Sequence, residues 1–142
     1  MGKTKNQKGK SQGLAVVLKA TVYDLGIDYD FRSQNLVLSK LEPLAWLVHH
    51  GLVKVSKVKV FTSPSGRGWH VRMQVVLWIT ARMTQRELEL ACGDDPFRHC
   101  FSWYRGEAED ETPLFEFKRK KGVWYHEKYN AQMTKRVKEL LK

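Results

Sequence analysis

The chain has 142 residues, a formal net charge of +10 and a pI near 9.7, with 42% hydrophobic and 11% aromatic residues. That length suits one domain able to bury its own core, and no apolar run reaches the roughly 20 residues that a membrane span requires. The polar, basic start and the presence of only two cysteines, Cys92 and Cys100, argue against a secretory signal and a disulfide framework, so the expectation is an intracellular (cytoplasmic) protein with reduced thiols and no membrane partner.

In chain order, residues 1–12 form a basic arm (Lys3, Lys5, Lys8, Lys10) with no acid, too polar to fold alone, and residues 13–142 read as a single domain. Leu14 to Phe31 reads as extended chain interrupted near Leu25-Gly26. In Ile27-Asp28-Tyr29-Asp30-Phe31 strict alternation sends the apolar residues to one sheet face and Asp28 and Asp30 to the other. From about Lys40 to His50 the apolar stripe Leu41, Leu44, Ala45, Leu47, Val48 is helical. Pro43 must lie in its first turn, which sets the start near Ser39 rather than Ser33, and Gly51 is a left-handed stop.

Lys54 to Phe61 is a strand, followed by a turn at Thr62 to Gly68. A long strand, Trp69 to Ile79, places Trp69, Val71, Met73, Val75, Leu77 and Ile79 on one face and His70, Arg72 and Gln74 on the other. Thr84-Gln85-Arg86-Glu87 is a capping box for a short helix that stops at Gly93. Asp94-Asp95-Pro96 is a turn, Phe97 to Tyr104 an aromatic strand, and Glu107 to Glu111 an acidic loop. Leu114 to Phe117 and Val123 to Tyr125 flank Lys118-Arg119-Lys120-Lys121-Gly122 as a hairpin, and a basic C-terminal helix buries Met133, Val137, Leu140 and Leu141.

From Lys118 onward nine Lys/Arg face only Glu127 and Glu139, so the two ends together carry +11 and the middle is nearly neutral. Lys118, Arg119, Lys120 and Lys121 thus become candidate contacts to DNA or RNA; the plainer reading is a solvated, solubilising surface. The order of elements gives an α+β fold, a mainly antiparallel sheet with helices packed on one face. The other face stays open and carries Asp28, Asp30, His70 and Arg72.

Two carboxylates two residues apart on a strand repel unless water screens them or a cation sits between them. Mg²⁺ or Mn²⁺ prefers such oxygen ligands, making Asp28 and Asp30 candidate metal ligands; a solvated acid pair is the alternative. In Ser65-Gly66-Arg67-Gly68-Trp69-His70 the glycines permit close backbone approach to a phosphate, and Ser65, Arg67, His70 and Arg72 offer donors. Cys92, His99 and Cys100 lack a fourth ligand and zinc spacing.

Taken together, Ile27-Asp28-Tyr29-Asp30 followed by a helix and then Ser65-Gly66-Arg67-Gly68-Trp69-His70 resembles the archaeo-eukaryotic primase (primase-polymerase) superfamily over Thr21 to Met73. The resemblance implies an RRM-like palm, divalent metal (Mg²⁺ or Mn²⁺) on Asp28 and Asp30, and His70 on the phosphates of a nucleoside triphosphate. It also implies metal-dependent nucleotidyl transfer in DNA replication, with a replication partner protein for template capture. The third acid of such a palm has two positional candidates, Glu116 and Asp95, while Ser102 stands on the Phe101-Ser102-Trp103 segment. The alternatives are a non-catalytic DNA- or RNA-binding module on the same fold, and a structural protein whose basic tails neutralise packaged nucleic acid.

Overall fold

A computed structural model describes residues 20–78, 82–106 and 114–142; the basic arm, Leu14 to Lys19, Ile79 and the acidic loop Glu107 to Glu111 lie outside them. In chain order the elements are β1 (Ala20–Tyr29), α1 (Gln34–Lys40), α2 (Glu42–His49), β2 (Val53–Thr62), β3 (Trp69–Trp78), α3 (Gln85–Ala91), α4 (Pro96–Tyr104), β4 (Phe117–Lys120), β5 (Val123–His126), β6 (Lys128–Tyr129) and α5 (Ala131–Leu140). Four strands form an antiparallel sheet in the order β1-β3-β2-β6, and β4 and β5 pair as a separate ribbon. The α+β class and the mainly antiparallel sheet are as the sequence implies.

Alternation along β3 buries Trp69, Val71, Met73, Val75 and Leu77. They join Leu25, Ile27 and Tyr29 of β1 and Val58 and Val60 of β2. Against them pack Val37, Leu41, Leu44, Ala45 and Leu88, with Met133, Val137 and Leu141 at the C-terminal end, in one apolar cluster. The intervening residues of β1 and β3, among them Asp28, His70 and Arg72, are thereby turned to the opposite face. That face is partly roofed rather than open. Leu114 lies over Gly26, where an added Cβ would sit 3.1 Å from its side chain, and Arg72 Nη2 donates to the Leu114 carbonyl at 2.8 Å.

Four expectations change. β1 runs without interruption at Leu25-Gly26, each residue from Ala20 to Tyr29 pairing with β3; a glycine can stay in a strand where a neighbour fills the space above it. The first helical segment starts at Ser33 after all, whose hydroxyl accepts from Leu36 N–H. Leu41 then breaks the helix, so Pro43 falls in the first turn of a second one, α2. The Phe97 to Tyr104 segment is helical, not a strand: Asp95 caps it and Pro96 occupies its first turn, a start signal that outweighs aromatic β-propensity. In the hairpin, Lys118 to Lys120 are strand residues, and the turn is only Lys121-Gly122, at φ 52° and 77°, the left-handed pair of a two-residue loop.

Gly66 and Gly68 have different roles. Gly66 takes φ 74° in open space, as the turn demands. Gly68 packs directly on the Tyr29 carbonyl, and any Cβ there would collide with backbone. The glycine therefore serves strand contact, not phosphate approach. Gly68→Ala is expected to cost about 1–3 kcal/mol through overpacking, read from the urea midpoint; an unchanged midpoint would refute the contact.

Candidate functional site

Asp28 and His70 stand opposite each other in the β1–β3 register, which brings His70 Nε2 to 3.4 Å from Asp28 Oδ1. The other ring nitrogen, Nδ1, lies 2.7 Å from Glu127 Oε2. Arg72 grips the same carboxylate, Nε at 3.1 Å from Oε1 and Nη2 at 3.2 Å from Oε2, a two-toothed pair of the strong kind. Glu127 is nearly buried, its side chain 7% exposed. It accepts from Nδ1 and so leaves Nε2 directed at Asp28, the way an outer carboxylate orients an imidazole that works through its other nitrogen.

Beside this row lies a cleft of about 610 Å³ lined by Asp28, Asp30, Ser65, Arg67, His70 and Asp95, with phenylalanines on its far side. Six residues singled out in the sequence thus line one place. Ser65 Oγ accepts from Arg67 N–H at 3.3 Å and lies 3.0 Å from Ser63 Oγ, so the hydroxyls also shape the turn they sit on. Asp95 joins the cleft from the start of α4. Its Oδ1 accepts from Phe97 N–H at 3.0 Å, and its own N–H donates to the Asp28 carbonyl at 3.3 Å.

The remaining candidates are placed differently. Glu116 is exposed just before β4, and Phe115 and Phe117 rather than Glu116 line the cleft. Arg72 is committed to Glu127 and Leu114 instead of the cleft. Lys118 reaches the cleft rim, Arg119 lies over the Trp124 ring at 5.6 Å, and Lys120 and Lys121 are exposed at the ribbon end. Asp28, Asp30 and Asp95 offer oxygen donors of the type a hard cation takes, and the Asp28 side chain keeps 31% exposure, but among the described residues these three carboxylates do not gather within 4.8 Å of one another as Glu89, Asp94 and His99 do.

What fixes Asp28 is a buried network that alternation cannot reveal. Among the described residues no strand pairs with the outer edge of β1. Instead Gly26 N–H donates to Glu89 Oε2 at 2.8 Å and Asp28 N–H to Asp94 Oδ1 at 2.7 Å. Arg98 donates to the Gly26 carbonyl and, at 2.6 Å, to Asp94 Oδ2, which also pairs with His99 Nε2. Glu89, Asp94 and His99 bring ligand-type atoms within 4.8 Å of one another, but the Arg98 guanidinium already supplies the countercharge. Cys92 is buried and Cys100 exposed, so they do not complete a zinc set with His99. Glu89, Asp94 and Glu127 were missed by sequence reading; the capping box and the Asp-Pro start of α4 were the only local signals near the first two.

Burial raises the Glu89 carboxyl from 4.5 to about 7, opposed by the Gly26 N–H and Arg98. Burial also pushes the Cys92 thiol up to about 12 and holds His99 below the usual imidazole range, against the pull of Asp94. With its folded pKa raised, Glu89 favours folding most below about pH 4.5 and loses that contribution as pH rises through about 7. His99 works the other way, losing stability as pH falls through its unfolded value. Glu89→Gln keeps an acceptor for Gly26 and removes only the first effect. Its stability relative to wild type is expected to improve between pH 5 and pH 8, by up to roughly 3 kcal/mol. Thermal melts at the two pH values check this; a constant offset would mean that Glu89 does not titrate there.

No family model, curated protein or solved structure matches the chain.

Proposed function

We propose that this chain is a primase-polymerase-like nucleic-acid-binding protein whose cleft receives the metal-chelated triphosphate of a nucleotide, on an RRM-like palm. The observation that carries the reading is the convergence of Asp28, Asp30, Ser65, Arg67 and His70 on one cleft. Acids that call for a cation adjoin donors that call for an anion, and a metal polyphosphate satisfies both. Asp28 and Asp30 would hold Mg²⁺ or Mn²⁺, with Asp95 as the third acid in place of Glu116. In such sites the metal supplies charge stabilisation and alignment of the reacting oxygens. Arg67 and Ser65 orient the phosphates, and His70 presents Nε2 with its ring fixed by Glu127.

Nucleic acid, DNA or RNA, would follow the ribbon. Every residue of β4 and β5 is exposed, and Lys118, Arg119, Lys120 and Lys121 carry its charge. A second reading, a binding module without turnover, is favoured by one observation: Asp95 is engaged as a helix cap and Glu116 does not line the cleft, so among the described residues no third acid stands uncommitted there.

Incorporation of labelled nucleotide on primed and unprimed templates with Mg²⁺ or Mn²⁺ separates the two. Asp28→Ala with Asp30→Ala is expected to abolish incorporation while leaving salt-sensitive DNA binding in place; a wild type that never incorporates leaves the module reading. For the ribbon, Lys118→Gln with Lys120→Gln should flatten the plot of log affinity against log salt by about 1.4 on single strands, at about 0.7 per lost phosphate contact. An unchanged slope would remove the ribbon from the interface.

A further inference from the structure

The cleft has a side that the phosphate reading leaves unexplained. Phe97, Phe101, Phe115 and Phe117 line it and are 68%, 58%, 70% and 52% exposed. Large apolar side chains scattered singly over a surface need no explanation, whereas four around one hollow mark a ligand or partner. Their placement is ordered. Asp95 N–H is bonded to the Asp28 carbonyl, so α4 begins beside the acids. Phe97, Phe101 and Arg105 follow at intervals of four and share a helix face, each step advancing about 6 Å. The aromatic wall of α4 thus leads on from the acid at its start, and the segment carrying Phe115 and Phe117 lines the same cleft.

We infer that this wall is a nucleobase subsite: the base of a nucleotide whose phosphates lie against Arg67 and His70 stacks on the phenylalanines of α4 and of the Phe115 to Phe117 segment. The inference rests on the phosphate reading above and extends it to the whole ligand. A cation-binding end, an anion-binding flank and a planar apolar end within one cleft of about 610 Å³ match the three chemistries of a metal nucleotide, and the volume falls in the range of small-ligand sites. Among the described lining residues there is no Asn or Gln, the side chains best suited to reading adenine edges. Stacking without adenine-edge readout accepts adenine and uracil alike, so the wall does not distinguish ATP from UTP.

Calorimetric titration of the full chain in Mn²⁺ with ATP, UTP, inorganic triphosphate and oligothymidylate tests this. ATP and UTP are expected to bind similarly, and each roughly 5- to 100-fold tighter than inorganic triphosphate. Phe97→Ala with Phe101→Ala should erase that advantage and leave triphosphate affinity unchanged, while Phe97→Tyr with Phe101→Tyr should retain it. The exposure of both rings keeps these variants folded, which thermal melts verify. Inorganic triphosphate binding as tightly as the nucleotides overturns the subsite and spares the phosphate reading. Failure of every triphosphate to bind overturns both. Loss of oligothymidylate affinity in the alanine pair, with ATP affinity intact, gives the wall to a polynucleotide strand and overturns the inference as stated.

Discussion

The free edge of β1 is the constraint on which the site depends. A sheet edge presents unpaired N–H and C=O groups that must be satisfied or covered. Here the α3–α4 segment substitutes for a strand: Glu89 and Asp94 accept from Gly26 and Asp28, and Arg98 and the Asp95 N–H donate back to the Gly26 and Asp28 carbonyls. Because the groups alternate donor and acceptor as a paired strand would, β1 stays flat enough to hold register with β3. That register is what sets Asp28 against His70. Two acids buried without charge compensation would be costly; Arg98 and the rise of the Glu89 carboxyl toward neutrality remove most of that cost. Where β2 runs past the short β6, its edge is treated in the same way, Thr134 Oγ1 accepting from Val60 N–H at 2.9 Å.

Much of this was legible because period-two alternation is a strong signal wherever one face is buried. Asp28 and Asp30, like His70 and Arg72, were separable from Ile27, Tyr29, Val71 and Met73 by parity alone, and the capping box at Thr84 and the stop at Gly51 were equally local. Illegible were the partnerships across long separations. Glu127 is 57 residues from His70, and Asp94 is 66 from Asp28. Nothing in the spacing of Glu127 marks it as buried, since in sequence it is one acid among lysines. The Phe97 to Tyr104 segment misled because aromatic residues suit strands, and only its Asp-Pro start, together with burial of His99 and Ser102 on one side, shows a helix.

The cleft collects opposites. Its lining combines acids, hydroxyl and guanidinium donors, and phenylalanines. None of these groups needs the others for folding, for they contribute little to the apolar cluster formed by the sheet and helices. The core fixes where strands and helices begin and end, and the cleft residues occupy the ends: Asp30 just after β1, Ser65 and Arg67 between β2 and β3, Asp95 just before α4. A packed scaffold presenting chemistry from its termini and turns allows the site to be precise without being part of the core.

Glu127 links the site to the root of the ribbon, beside the Arg72–Leu114 bond. Its carboxylate holds the His70 ring and Arg72, while its backbone N–H donates to the Glu116 carbonyl at 2.8 Å, just before β4. A two-stranded ribbon exposed on both sides is marginal by itself, so this residue is the bolt at its root. A displacement of the ribbon root would therefore be felt at the His70 ring, through a carboxylate that Arg72 also holds.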